Sequence, residues 1–161
     1  MHTVQRLIVL YLATLLVSCA RDSDKGISVS KDDPEMNAAI ARAQETLPTF
    51  WAKRDEVRDR FTGLLKVYFT DVGDEDAREH MWVAVTEHRP DETIGTLLSE
   101  PIWLESVKGG DTVRFPDMRI TDWLFVQDGR AQGAFTIRLL RTRMTPGERK
   151  AHDANYPFAF E

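Results

Sequence analysis

The spacing of the apolar residues changes partway along the chain, and that change limits the folds open to it. Met36, Ala39, Ile40, Ala43 and Leu47 recur at three- and four-residue intervals, which places them on one face of an α-helix. From Leu64 the period becomes two. Leu65, Val67 and Phe69 alternate with Leu64, Lys66 and Tyr68, and Met81, Val83 and Val85 alternate with His80, Trp82 and Ala84. Successive side chains of a strand point to opposite faces, so these segments read as two strands joined by the acidic loop of Asp71, Asp74, Glu75 and Asp76.

Asp33 suits an N-cap and Pro34 the first helical position. Pro48 is expected to end or kink this helix, and Phe50, Trp51, Val57 and Phe61 suggest a second short helical piece among the charges of residues 53 to 60. Further strands are expected at residues 93 to 99, at 112 to 115 after Gly109-Gly110-Asp111, and at 120 to 126 before Asp128-Gly129. Residues 134 to 144 fit either element. Phe135, Ile137 and Leu139 alternate, whereas Ile137, Leu140 and Met144 keep a helical period, and the helix is the preferred reading. Thr145-Pro146-Gly147-Glu148 has the pattern of a capping box, which predicts a short helix to about residue 153. Phe158 and Phe160 form an apolar pair near the end. No internal repeat is present. The order of elements predicts an α+β fold: a small antiparallel sheet, with an N-terminal helix and C-terminal helical segments packed on it.

The first residues carry an address. Met1 to Arg6 are short and polar with one positive charge, and residues 7 to 17 are apolar apart from Tyr11 and Thr14, the layout of a secretory signal. As a helix the apolar run is about 16 Å long, too short for a hydrocarbon core of about 30 Å. Leu16-Val17-Ser18-Cys19 resembles the bacterial lipobox. The resemblance implies cleavage before Cys19, acylation of that cysteine and anchoring to a membrane by lipid, since several acyl chains hold where one does not. Ala20 follows the cysteine where an aspartate would favour the inner membrane, which leans the expectation towards the outer membrane. Residues 1 to 18 are thus read as signal, 19 to 33 as lipidated cysteine and flexible tether, and 34 to 161 as one domain. Ser, Asp and Lys dominate the tether, whose coil-like reach is about 20 Å.

Apolar residues make up 42% and charged residues 29% of the chain, which is globular composition with enough length for one domain core. The formal net charge of −5 argues against non-specific binding to nucleic acid. Cys19 is the single cysteine, so no disulfide can form within the chain.

Glu35-Met36-Asn37-Ala38-Ala39-Ile40 and Glu79-His80-Met81-Trp82-Val83 carry a family resemblance. It continues through Glu100-Pro101, Gly109, Asp111 to Phe115, and Ile120-Thr121-Asp122-Trp123. Gly133-Ala134-Phe135-Thr136-Ile137-Arg138 and Thr145-Pro146-Gly147-Glu148-Arg149 complete it. From about Pro34 onwards the chain resembles the YegJ-like bacterial family, a domain of unknown function found in secreted and lipoprotein forms. The resemblance implies a shared fold and carries no reaction with it.

Among candidate site residues, Glu79, His80 and Asp122 would permit acid-base chemistry if strand pairing brought them into one cleft, and Trp82 and Trp123 would offer faces for ligand stacking. The ordinary alternative is that all five are structural. The acidic loop lacks the glycine and the closing glutamate of a calcium hand, and His80 and His88 lack zinc-type spacing. Arg138, Arg141, Arg143, Arg149 and Lys150 give the C-terminal third a basic face that could meet anionic headgroups or wall polymers. Neither a nucleophile elbow, a phosphate loop nor a dinucleotide motif is present, so no cofactor is expected. The leading expectation is a non-enzymatic binding module for a protein or envelope component. The alternatives are a hydrolase-like enzyme using Glu79, His80 and Asp122, and an immunity-type inhibitor of a secreted toxin.

Overall fold

The computed structural model describes residues 29 to 58 and 61 to 160. The expected signal segment, Cys19 and most of the expected tether lie outside the described residues. Helix α1 spans Pro34–Val57. The Asp33 carboxylate accepts hydrogen bonds from the amides of Glu35 at 3.0 Å and Met36 at 3.1 Å, satisfying donors that a first helical turn leaves unpaired.

The helix does not end at Pro48. A proline inside a helix cannot donate to the carbonyl four residues earlier, here Gln44, and tertiary contacts hold the turns around that gap. The indole N–H of Trp123 donates to the Ala43 carbonyl at 3.0 Å, and the Gln44 side-chain amide donates to the Ile120 carbonyl at 3.2 Å. Leu47 and Phe50 are buried on either side of Pro48. The second helical piece expected from Phe50 is therefore the continuation of α1, and Phe61 lies beyond it, edge-on to Phe50 at 4.9 Å. Arg58, in left-handed backbone at φ 48, closes the helix.

Six strands follow: β1 (Gly63–Asp71), β2 (Asp74–His88), β3 (Thr93–Leu97), β4 (Thr112–Phe115), β5 (Ile120–Gln127) and β6 (Arg130–Gly133). They form one sheet in the order β4-β3-β2-β1-β5-β6, with every neighbouring pair antiparallel. The acidic segment is no separate loop. Asp71 pairs with Asp74 across Val72-Gly73, and Gly73 takes the positive φ of 90 that the tight turn needs. Strand β3 stops two positions short of its expected end, at Leu97. Strand β6 was not legible, because Arg130-Ala131-Gln132-Gly133 carries no apolar alternation. Asp128 and Gly129, at φ 51 and 73, make its two-residue turn.

After β6 the backbone turns sharply at Gly133 (φ 74) and Ala134 (φ 55). A β-carbon on Gly133 would fall 2.2 Å from the Trp123 carbonyl oxygen, so only glycine fits. This turn starts helix α2 (Phe135–Arg143), the reading preferred for that stretch, and helix α3 (Pro146–Asp153) follows with the expected capping box at Thr145 and Glu148. The fold is α+β.

The two faces of the sheet are covered differently. One packs Leu65, Val67, Met81, Val83, Trp123 and Phe125 under α1. On the other, Trp82 and Leu124 lie beneath Ile137, Phe158 and Phe160. The chain end is tied there by hydrogen bonds from Ala131 N to Ala159 O at 2.8 Å and from Ala159 N to Gly129 O at 2.9 Å. Towards the β1–β2 turn, the same face brings Tyr68, Arg78 and His80 to the surface.

Candidate functional site

Strand register decides which candidate residues meet. Lys66 lies opposite both Trp82 on β2 and Asp122 on β5, and Tyr68 lies opposite His80. Directly paired residues share a face, so His80, Trp82 and Asp122 sit on the face away from α1. Glu79 pairs with Phe69, and Trp123 packs in the core beneath α1. The five residues, whose meeting in one cleft was the condition of the enzyme alternative, are thus divided between two faces.

Asp122 is fully buried and its carboxylate is saturated. Oδ1 accepts from the amides of Trp123 at 2.8 Å and Phe135 at 3.0 Å, and Oδ2 from the amide of Thr136 at 2.8 Å and its hydroxyl at 2.6 Å. A carboxylate has about four lone-pair sites, and all are used. Ala134, the residue that precedes α2, has no capping side chain, so Asp122 caps that helix from the neighbouring strand. Burial pushes its pKa above the ordinary aspartate value, while the Thr136 donors and Lys66 act against the rise. None of its four bonds goes to His80.

Glu79 is equally committed. Its carboxylate accepts from the amides of Ile102 at 2.6 Å and Trp103 at 3.4 Å. Two rungs away, Asp71 accepts from the amides of Glu105 at 3.1 Å and Ser106 at 3.0 Å. The side chain of Ser106, then these amides, hold the Asp71 carboxyl below its usual range. Glu100 accepts from Gly109 N at 3.0 Å. These carboxylates moor the long β3–β4 connection, leaving Ile102 and Trp103 exposed upon it.

His80 is exposed, and its Nδ1 lies 3.0 Å from the Thr121 hydroxyl, which in turn reaches the Lys66 carbonyl at 3.3 Å. Thr121 gets there because β5 bulges between its pairings with Lys66 and Val67, and the extra residue turns towards this face. Packing of the ring against the sheet, then the charges of Lys66 and Arg78, pull the His80 pKa down to about 4. A base that weak is poorly matched to chemistry at neutral pH.

Around His80 the structure assembles residues that the sequence reading left out. The Arg78 guanidinium lies 4.7 Å and that of Arg119 5.7 Å from the Tyr68 ring, while the Lys66 ammonium lies 5.5 Å from the Trp82 ring. These are cation–π distances. Trp82 and Trp123 themselves are only 5% and 3% exposed, so neither offers a free face. Lys66 and Tyr68 could have been singled out as the polar side of the β1 alternation. Arg119 and Thr121 depend on a one-turn helix at Asp117–Arg119 and on the bulge, which no periodicity announces.

The basic C-terminal residues are largely occupied. Arg138 donates to the carbonyls of Gly133 at 2.8 Å and Ala131 at 2.7 Å, and Arg141 holds Asp153 at 2.8 and 2.7 Å. Arg143 clamps Asp33 and Glu35 at the start of α1, and Arg149 donates to the Arg141 carbonyl at 3.0 Å. His88 stacks on Trp51 at 3.7 Å and contacts Thr93, whose hydroxyl donates to Asp117. Among the described residues, no group of three or more His, Cys, Asp or Glu side chains could hold a metal ion, and no helix is long and apolar enough to cross a membrane.

The model of a family described as uncharacterised proteins conserved in bacteria, DUF2314, matches residues 33 to 160. The chain belongs to this family. The DUF2314 match thus begins at the residue that caps α1 and ends in the aromatic cluster that closes the second face. A curated relative from Neisseria meningitidis serogroup B, named as an ankyrin repeat protein, is 36% identical over 138 residues. That alignment covers 82% of this chain and 54% of the relative, so the chain spans about half the length of the protein it matches. No solved structure matches the chain.

Proposed function

We propose that this DUF2314 member is an exported, lipid-anchored protein of the YegJ-like kind, and a non-enzymatic module that binds an anionic site on a protein or envelope component. The observation that carries the binding reading is the strip of Lys66, Tyr68, Arg78, His80 and Arg119 on the open half of the sheet. Positive charge on such a surface, in a chain of net charge −5, selects anionic partners locally without making the whole protein polyanion-seeking. Against the enzyme stands the use of Asp122 and Glu79 as acceptors for backbone amides, so that neither of them orients His80. Anchoring rests on Leu16-Val17-Ser18-Cys19 after an apolar run.

Two measurements test the two halves. Titration of the isotope-labelled domain with poly-L-glutamate should move the NMR signals of Lys66, Tyr68, His80 and Arg119 and be suppressed by moderate salt. Shifts confined to the C-terminal arginines would refute the assignment of the face. Labelling with radioactive palmitate should mark the wild-type protein and not Cys19→Ala; equal labelling would refute the anchor.

A further inference from the structure

We infer that the occupant of this strip is an extended acidic segment of another protein, with carboxylates at alternate positions. The inference rests on the binding reading above and specifies the chemistry of its partner. Positive charge gathers at two successive same-face positions of β1: Lys66 over Trp82, and Arg119 with Arg78 about Tyr68. Two residues along a strand span about 7 Å, and side chains two apart in an extended ligand have the same repeat. A ligand laid along β1 therefore presents one carboxylate to each cationic position when its acidic residues are spaced i, i+2. Tyr68 lies between them, and His80, beside it at a ring distance of 6.2 Å, offers a further polar contact.

The relief of the surface favours a polypeptide over a bilayer. Along β1 and beside it, Lys66, Tyr68 and Arg119 are half-exposed, and Arg78 and His80 are exposed. The aromatic cluster of Phe158, Phe160 and Tyr156 covers the neighbouring half of the same face. A single extended chain can follow this narrow row along β1, whereas a bilayer spreads its charge over a broad plane. A nucleic acid duplex would need a broader basic surface than these few cations provide.

The test uses two eight-residue peptides of identical composition, five threonines and three glutamates. One carries glutamate at its second, fourth and sixth positions and the other at its first, fourth and seventh. Both are titrated into the folded domain at low salt, alongside vesicles of phosphatidylglycerol and phosphatidylcholine. The alternate peptide should bind about fivefold more tightly, with NMR shifts on Lys66, Tyr68 and Arg119, and lose that advantage in Lys66→Gln/Arg119→Gln. Equal affinity for the two peptides overturns the alternate spacing. Binding of vesicles without binding of either peptide overturns the protein ligand while leaving an anion-binding face. Failure of every probe, poly-L-glutamate included, removes the face itself.

Discussion

Asp122 illustrates how a residue of catalytic type can serve the fold instead. Its two oxygens receive three backbone amides and one hydroxyl. Replacement by asparagine would turn an NH2 group towards donors, so Asp122→Asn should lower unfolding free energy by about 2–4 kcal/mol in denaturant titration. A variant as stable as wild type would remove the capping role. His80 gives a separate prediction. Its native pKa of about 4 lies below the ordinary histidine value, so the unfolded chain binds a proton that the folded chain refuses. Its contribution to stability therefore falls as pH drops from about 6.5 to about 4, and His80→Gln should flatten the pH dependence in that window. An NMR titration of the ring with a midpoint near 6.5 would contradict this. Neither behaviour was legible from residue type alone, because strand register and a bulge determine what each side chain meets.

At the scale of elements, the sequence was most readable where burial is periodic. The start of α1, the alternation of β1 and β2, and the capping box of α3 all follow from local chemistry. It misled at Pro48, where contacts from Trp123 and Gln44 override a local helix breaker. Since Pro48 is exposed, Pro48→Ala should restore the missing backbone bond and raise stability by about 1 kcal/mol or more. A drop in chemical-denaturation midpoint would mean that the proline fits a distortion the helix needs. The clamp between α2 and α1 has a pH signature of its own. The Arg143 guanidinium, with the amides of the first turn, holds the Asp33 carboxyl at about 2, and Arg141 does the same for Asp153. Carboxyls depressed below their unfolded values stabilise above about pH 4 and lose that contribution as the pH falls towards 2. Far-UV circular dichroism of Asp33→Asn should therefore show a shallower acid transition than wild type.

For the whole molecule, the asymmetric covering of the sheet matters most. Helix α1 and the β3–β4 connection cover one face, whereas the C-terminal aromatic residues cover only part of the other and leave a cationic, aromatic strip open. The helix-then-strands order made the α+β architecture legible; the strip was not, since its members come from β1, β2 and the turn before β5. The most direct test of the account is the affinity for poly-L-glutamate of Lys66→Glu/Arg119→Glu, compared with a charge reversal of equal size at exposed residues outside the strip, Arg42→Glu/Lys108→Glu. The account predicts a loss of about tenfold or more for the first pair and a change within about twofold for the second, both remaining folded. Equal losses would show that only overall charge matters and would contradict a binding face on the open half of the sheet.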